Sequence, residues 1–190
     1  MLKIVRIFGS FEEADAAEDA YYAQMQPEER TRLGLEIRST FAPGTDWPRW
    51  RDCIESRYSN NVDFLIVGAL ATAWHGHPHY TADMDVLILP DTENAERARV
   101  ALRQFGLTED DINQPGHIIH LGLPPNRIDL ITSITGVDTE TAWAGRVEAD
   151  FGGCKAFVIG IDDLLRNKES TGRPKDMADA ATLRKRHPQL

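Results

Sequence analysis

Two aspartates one residue apart, Asp83 and Asp85, constrain this chain more than any other feature. They head the run Asp83-Met84-Asp85-Val86-Leu87-Ile88-Leu89, whose apolar residues read as a buried strand. A strand alternates its side chains with a period of two, so both carboxylates leave one face while Met84 and Val86 point into the core. Neighbouring carboxylates repel unless a cation lies between them. A hard divalent ion such as Mg²⁺ is what an oxygen pair of this kind collects. Upstream, Phe64-Leu65-Ile66-Val67 reads as another buried strand that stops at Gly68, where a short helix through Trp74 begins.

A third aspartate strengthens the pattern. Asp129 stands mid-strand in Arg127-Ile128-Asp129-Leu130-Ile131, where a carboxylate is costly unless it is paired or binds a metal. If that strand lies beside the one carrying Asp85, three carboxylates meet at one place. Two divalent ions about 4 Å apart, bridged by carboxylates, are the standard arrangement for in-line phosphoryl transfer. Gly68 would let the backbone approach a phosphate, and a helix beginning there has N–H groups to offer an anion.

The remaining segments read as alternating strands and helices. Ile4 to Phe8 predicts a short strand closed by Gly9, and Ser10 with Glu13 three residues later forms a capping-box pattern for a helix from Phe11 to about Met25. Gly9-Ser10 also has the look of a phosphate-binding turn, but no spaced acidic pair follows it, so it reads as a helix cap. Pro27 starts a second expected helix, Glu28 to Ile37, and Trp47 and Trp50 would pin a following linker to the body. These segments divide the chain into a helical appendage (1–45), a linker (46–60) and a main domain (61–190). Within the main domain Asp91 and Thr92 cap a helix from Glu93 to Phe105, stopped by Gly106. Strands are expected over 116–121 and 127–131 around a Pro124-Pro125-Asn126 turn, and a hairpin over 147–159 about Gly152-Gly153. Helices from Asp162 to Asn167 and from Lys175 to about Arg186 end the chain. The whole predicts an α+β fold with a small mixed sheet of four or five strands flanked by helices.

Charge and composition narrow the function classes. The net charge of -9 argues against a surface built for broad nucleic-acid binding. Seven basic residues fall between Arg166 and Arg186, however, against three acidic ones, enough to hold a polyphosphate locally. The same cluster also reads as a solvated helix end with favourable dipole charges. No apolar run approaches the roughly 20 residues a membrane helix needs, and the first residues lack a signal-peptide core. Cys53 and Cys154 are far apart without metal-type spacing, which suits a reducing cytoplasm.

Taken together, Val67-Gly68-Ala69, thirteen residues, and Asp83-Met84-Asp85-Val86 resemble the motif of the minimal nucleotidyltransferases of the polymerase-β-like superfamily. In that family an apolar residue, Gly, and Gly or Ser precede an acidic–apolar–acidic–apolar tetrad, and a third carboxylate follows on a later strand, which Asp129 matches. The ending Asp163-Leu164-Leu165-Arg166-Asn167-Lys168, Gly172-Arg173-Pro174-Lys175-Asp176 and Asp179 is similar to the C-terminal part of a bacterial branch that includes toxin–antitoxin and abortive-infection enzymes. The resemblance spans roughly residues 61 to 186. It implies a polymerase-β-like fold and transfer of a nucleoside monophosphate from a nucleoside triphosphate to a hydroxyl. Asp83, Asp85 and Asp129 would be the catalytic and metal-binding residues for two Mg²⁺ ions, with Mn²⁺ as a substitute. Gly68, Ala69, Thr81, Lys168, Arg173 and Lys175 would line the nucleotide, with Asp176 or Asp179 orienting the cations. An RNA end, a protein or a small molecule would serve as acceptor, and a cognate toxin or antitoxin as partner. The appendage weakly resembles helical segments beside such enzymes and would act as a cover or docking piece.

Ala69 departs from the family pattern, since alanine supplies neither a serine hydroxyl nor the closest backbone approach. Reduced or altered nucleotide binding is expected. The departure keeps a second class of reading open, a catalytically inactive member acting as an antitoxin or protein-binding module. The run His75, His77, His79 invites a zinc site, but Tyr80-Thr81 replaces the Asp-His that a metallo-hydrolase motif requires, so substrate contact or loop surface is the preferred reading. Of His117 and His120, at least one is expected to be structural.

Overall fold

The computed structural model describes residues 4–26, 60–79, 81, 83–103, 111–112, 114–123, 127–151 and 154–189. The expected second helix, the linker up to residue 59, Trp47, Trp50 and Cys53 all lie outside the described residues.

Seven strands form one mixed sheet. In chain order they are β1 (Val5–Phe8), β2 (Phe64–Ile66), β3 (Asp83–Ile88), β4 (Ile118–Leu121), β5 (Arg127–Ile131), β6 (Val147–Phe151) and β7 (Cys154–Val158). Their spatial order is β1-β4-β5-β3-β2-β7-β6. The pairs β3–β5 and β2–β7 are parallel and the remainder antiparallel. The sheet is larger than the four or five strands expected, for two reasons. β1 hydrogen-bonds along β4, Val5 opposite Leu121 through Phe8 opposite Ile118, and so ties residues 4–26 to the sheet. The β6–β7 hairpin adds the opposite edge, because β7 runs beside β2 at Ile66 and Val158.

The helices are α1 (Phe11–Gln24), α2 (Gly68–Trp74), α3 (Thr92–Ala101), α4 (Thr139–Ala144), α5 (Ile161–Thr171) and α6 (Pro174–Arg186). Local chemistry explains their ends. The Glu13 amide donates to Ser10 Oγ at 3.3 Å, and the Glu13 carboxylate accepts from the Gly9 amide at 2.9 Å, which is the capping box. Asp91 caps α3 through the Asn94 amide at 2.8 Å. α5 runs past Asn167 to Thr171, four residues beyond expectation, and stops at Gly172, whose φ of 68° terminates it; Pro174 then opens α6. α4, which hydrophobic periodicity did not reveal in so short a segment, is capped by Asp138.

The core packs around the central strands. Leu65, Ile66, Met84, Val86, Leu87 and Ile119 are fully buried there, with Leu164, Leu165, Ala180 and Leu183 of α5 and α6 in the same cluster. Buried Asn94 ties the neighbouring ends of β2 and β3 together by accepting from the Asp63 amide at 2.7 Å and donating to the Asp63 and Leu89 carbonyls. The Asp83–Asp85 segment is thereby held at the start of a strand that is anchored on both flanks.

Candidate functional site

Register brings the three aspartates together. β3 and β5 run side by side in parallel with Asp85 opposite Asp129 and Asp83 opposite Arg127. Period two then places these four side chains on one face of the sheet, and β4 adds His120 opposite Asp129. Met84, between the two β3 aspartates, and Leu130, next after Asp129, stay in the core. A cleft of about 220 Å³ lies over this face. Its walls include every residue that sequence reasoning placed at the site: Asp83, Asp85 and Asp129, with Gly68, Ala69, Thr81, Lys168, Arg173 and Lys175.

Gly68 owes its place to Asp85. Its φ is +60°, and a Cβ built there would stand 1.9 Å from Asp85 Oδ2. The close approach that glycine permits is thus made by the Asp85 carboxylate, not by an open path for phosphate. The Ala69 amide donates to that carboxylate, and the Val67 amide donates to the Asp85 carbonyl at 3.1 Å. The side chain of residue 69 is not part of this contact.

The carboxylates are compensated by a residue that sequence reasoning left unassigned. Arg127 is 5% exposed, and its guanidinium sits between Asp83 and Asp129. Nη2 donates to Asp83 Oδ2 in a close contact and to Asp129 Oδ2 at 3.0 Å, and it reaches Glu18 Oε2 of α1 at 3.3 Å. Nε lies 2.8 Å from Asp129 Oδ1 in a poorly aligned ion pair, so that Asp129 Oδ1 is buried and accepts no hydrogen bond from the described residues. Thr81 Oγ1 donates to Asp83 Oδ1 at 2.7 Å.

One guanidinium does not neutralise three carboxylates. Burial, then the charge of Asp83, pushes the Asp85 carboxyl up to about 7 against the pull of Arg127 and Lys168. Burial likewise holds Asp129 well above the usual carboxylate range; Arg127 opposes this, and Asp83 and Asp85 add to it. Burial disfavours the charge of Arg127, but Asp129, Asp83 and Glu18 together outweigh it and keep that side chain firmly cationic. His120, 3.5 Å from Asp129, is pushed down to about 4 by burial and by Arg127, so its imidazole is neutral near pH 7.

A second charged group stands across the cleft. Buried Lys168 donates to Asp176 at 2.9 Å and to Asp179 at 2.8 Å, so both aspartates orient the same ammonium. Asp179 also meets His77 at 3.3 Å and His79 at 3.2 Å. Burial raises the Asp179 pKa, but Lys168 and the two imidazoles bring it below the ordinary value. His75 turns away to the Ile159 carbonyl at 2.8 Å, so the three histidines do not converge as a zinc site would need. Arg173 pairs with Asp176 at 3.3 Å and with Asp15 of α1 at 3.2 Å, and its guanidinium lies 5.5 Å from the Phe11 ring centroid. The His117 ring does not line the cleft, and its Nδ1 lies 3.3 Å from the Asp111 carbonyl.

Four site residues escaped sequence reasoning: Arg127, His120, Asp15 and Glu18. Arg127 carried a usable signal, because it precedes Asp129 by two residues and must share its face. Asp15 and Glu18 are three apart on one helix and share a side of it, but nothing in their spacing says which element they face.

The donor set suits a hard divalent cation on two grounds: three carboxylates on adjacent register positions, and an oxygen of Asp129 that accepts no aligned hydrogen bond from the described residues. The carboxylates are nonetheless arranged about Arg127, and among the described residues no three acidic, His or Cys side chains surround a ready-made ion position.

No protein-family model matches this chain, and no curated protein matches it. Among solved structures it is similar to an antigenic nucleotidyltransferase-like protein from Paracoccidioides brasiliensis, at 20% identity and a TM-score of 0.49, over 74% of each chain. It is also similar to a Thermotoga maritima protein assigned provisionally as a nucleotidyltransferase, at 15% identity and a TM-score of 0.46, over 87% of this chain and 97% of that one. No helix among the described residues is long and apolar enough to cross a membrane.

Proposed function

We propose that this chain is a metal-dependent nucleotidyltransferase that moves a nucleoside monophosphate from a nucleoside triphosphate to a hydroxyl acceptor. The observation that carries the reading is the register of β3 and β5, which sets Asp83, Asp85 and Asp129 side by side at the floor of a cleft edged by cations. Asp83, Asp85 and Asp129 would hold Mg²⁺ or Mn²⁺, which when bound supplies charge neutralisation to the triphosphate and acidifies the acceptor hydroxyl. The protein's own groups do the rest. Asp129, opposite Asp85 in the register, would act as, or help position, the base for the attacking hydroxyl. Lys168, Arg173 and Lys175 border the cleft where the negative charge of a triphosphate would lie. Lys168 is held rigidly for that task by Asp176 and Asp179. Thr81 fixes the orientation of Asp83.

The acceptor class is an RNA end, a protein or a small molecule, and a toxin–antitoxin setting with a cognate partner is the biological role that the sequence resemblance supports. The test is a labelled panel of the four nucleoside triphosphates with Mg²⁺, offered to transfer RNA, total protein and small acceptors. Transfer or self-labelling by the intact chain, lost in the Asp83→Ala/Asp85→Ala variant, is the expected result. No transfer to any acceptor would overturn it.

A second reading has its own observation. With Arg127 on Asp83 and Asp129 and alanine at position 69, the chain could be an inactive relative that works as an antitoxin or binding module. Such a protein would keep its biological effect in the Asp83→Ala/Asp85→Ala variant and bind no nucleotide in a Mg²⁺-dependent way.

A further inference from the structure

We infer that Arg127 is an exchangeable counter-cation that holds the metal-binding carboxylates until a divalent ion replaces it, with Glu18 of α1 as the group that receives the displaced guanidinium. The inference rests on the metal site of the proposed function and names the chain's own residue that competes for it.

Three observations carry it. The first is occupancy. The Arg127 guanidinium bridges Asp83 Oδ2 and Asp129 Oδ2, which lie diagonally across the β3–β5 register, so an oxygen of each is engaged while it stays. The second is incomplete compensation. Among the described residues buried Asp129 Oδ1 accepts no aligned hydrogen bond, Arg127 Nε approaching it at 2.8 Å in a poorly aligned contact, and Asp85 receives the Ala69 amide and more distant charge, so the guanidinium fork serves the cluster without saturating it. A divalent ion brings twice the charge to the same oxygens. The third is a place to go. Glu18 Oε2 of α1 is already 3.3 Å from Arg127 Nη2. Arg127 and Glu18 also line a second, water-sized cavity of about 10 Å³ with Arg6, Tyr21 and His120. A buried arginine must keep a carboxylate partner wherever it moves, and Glu18 meets that need.

The role is one of positioning. Arg127 reaches the proposed reaction only through Asp83 and Asp129, keeping them apart and ordered without metal and yielding them when metal binds. Glu18 then links metal loading to α1, because a guanidinium drawn onto Glu18 strengthens the hold of that helix on the sheet.

Opposite-signed variants test this by direct Mn²⁺ binding, read by electron paramagnetic resonance and calorimetry on the full chain without nucleotide. Arg127→Gln removes the competitor, and Mn²⁺ should bind on the order of tenfold more tightly. It should also lower the Tm without metal and show a larger Mn²⁺-induced rise in Tm than the parent protein. Glu18→Gln removes the receiving group, and Mn²⁺ should bind several-fold more weakly while the metal-free Tm changes little. In the Arg127→Gln/Glu18→Gln double variant the Glu18 effect should vanish, since it acts through Arg127. Glu18→Gln alone keeps the inference falsifiable should Arg127→Gln fail to fold. Unchanged or weaker Mn²⁺ binding in Arg127→Gln, unchanged or tighter binding in Glu18→Gln, or no Mn²⁺ binding in the parent and both variants would each overturn it. Nucleotidyl transfer with an unaltered Mn²⁺ response would remove the exchange role and leave the proposed activity standing. The expected binding pattern without transfer would do the reverse.

Discussion

A carboxylate inside a sheet is tolerated only if a positive charge or a proton comes with it, and Asp85 and Asp129 draw on both. Gly68 shows how little room is left around them. Gly68→Ala should destabilise the protein by about 2 kcal/mol or more in a urea titration, because the new Cβ would collide with the Asp85 carboxylate at a positive φ. The titration of Asp85 supplies a second prediction, whose sign follows from its direction. Its folded-state pKa of about 7 exceeds its ordinary value of 3.8, so the folded protein holds a proton that the unfolded chain has lost. Stability should therefore fall as pH rises toward and through 7. His120 works in the opposite direction, but only between about 4 and 6.5, where its unfolded form gains a proton that the folded form refuses. Urea melts in chelator between pH 6.5 and 7.5 should thus lose stability with rising pH, and Asp85→Asn should flatten that slope.

At the scale of elements, the junction of α5 and α6 is where charge is most tightly bound to packing. Lys168 lies on α5, and its two carboxylate partners, Asp176 and Asp179, lie on α6. Lys168→Met would leave buried Asp179 and half-buried Asp176 without their shared ammonium. It should cost about 3–5 kcal/mol by chemical denaturation, far more than loss of an exposed pair such as Arg184 with Glu169. α1 is held by weaker means: a capping box at its start and two ion pairs, Asp15 with Arg173 and Glu18 with Arg127. Ser10→Ala should cost about 1 kcal/mol by the same measurement, since it removes one cap hydrogen bond.

Over the whole molecule, the N-terminal segment is a sheet component and a wall of the cleft at once. Deleting residues 1–26 would strip β1 from β4 and expose the edge of β4. The truncated protein should melt at lower temperature and self-associate in light scattering, because an unprotected strand edge pairs with other chains. Much of the arrangement was legible beforehand. The alternation in Asp83-Met84-Asp85-Val86, the lone Asp129 in an apolar strand, the Ser10–Glu13 cap and the Asp91 cap are local patterns, and local patterns carry their own physical reasons. What could not be read was everything that depends on which strands become neighbours. Asp15 and Glu18 are ordinary helix-surface acids until β1 docks on β4 and carries α1 over the carboxylates. Arg127 reads as the first residue of a strand until parallel register sets it across from Asp83. The sequence by itself determined that three carboxylates would be costly and would need cations. Only the tertiary structure decided that the cation in place is Arg127, because pairing between strands far apart in the chain is set by the packing of the whole sheet and not by any local period.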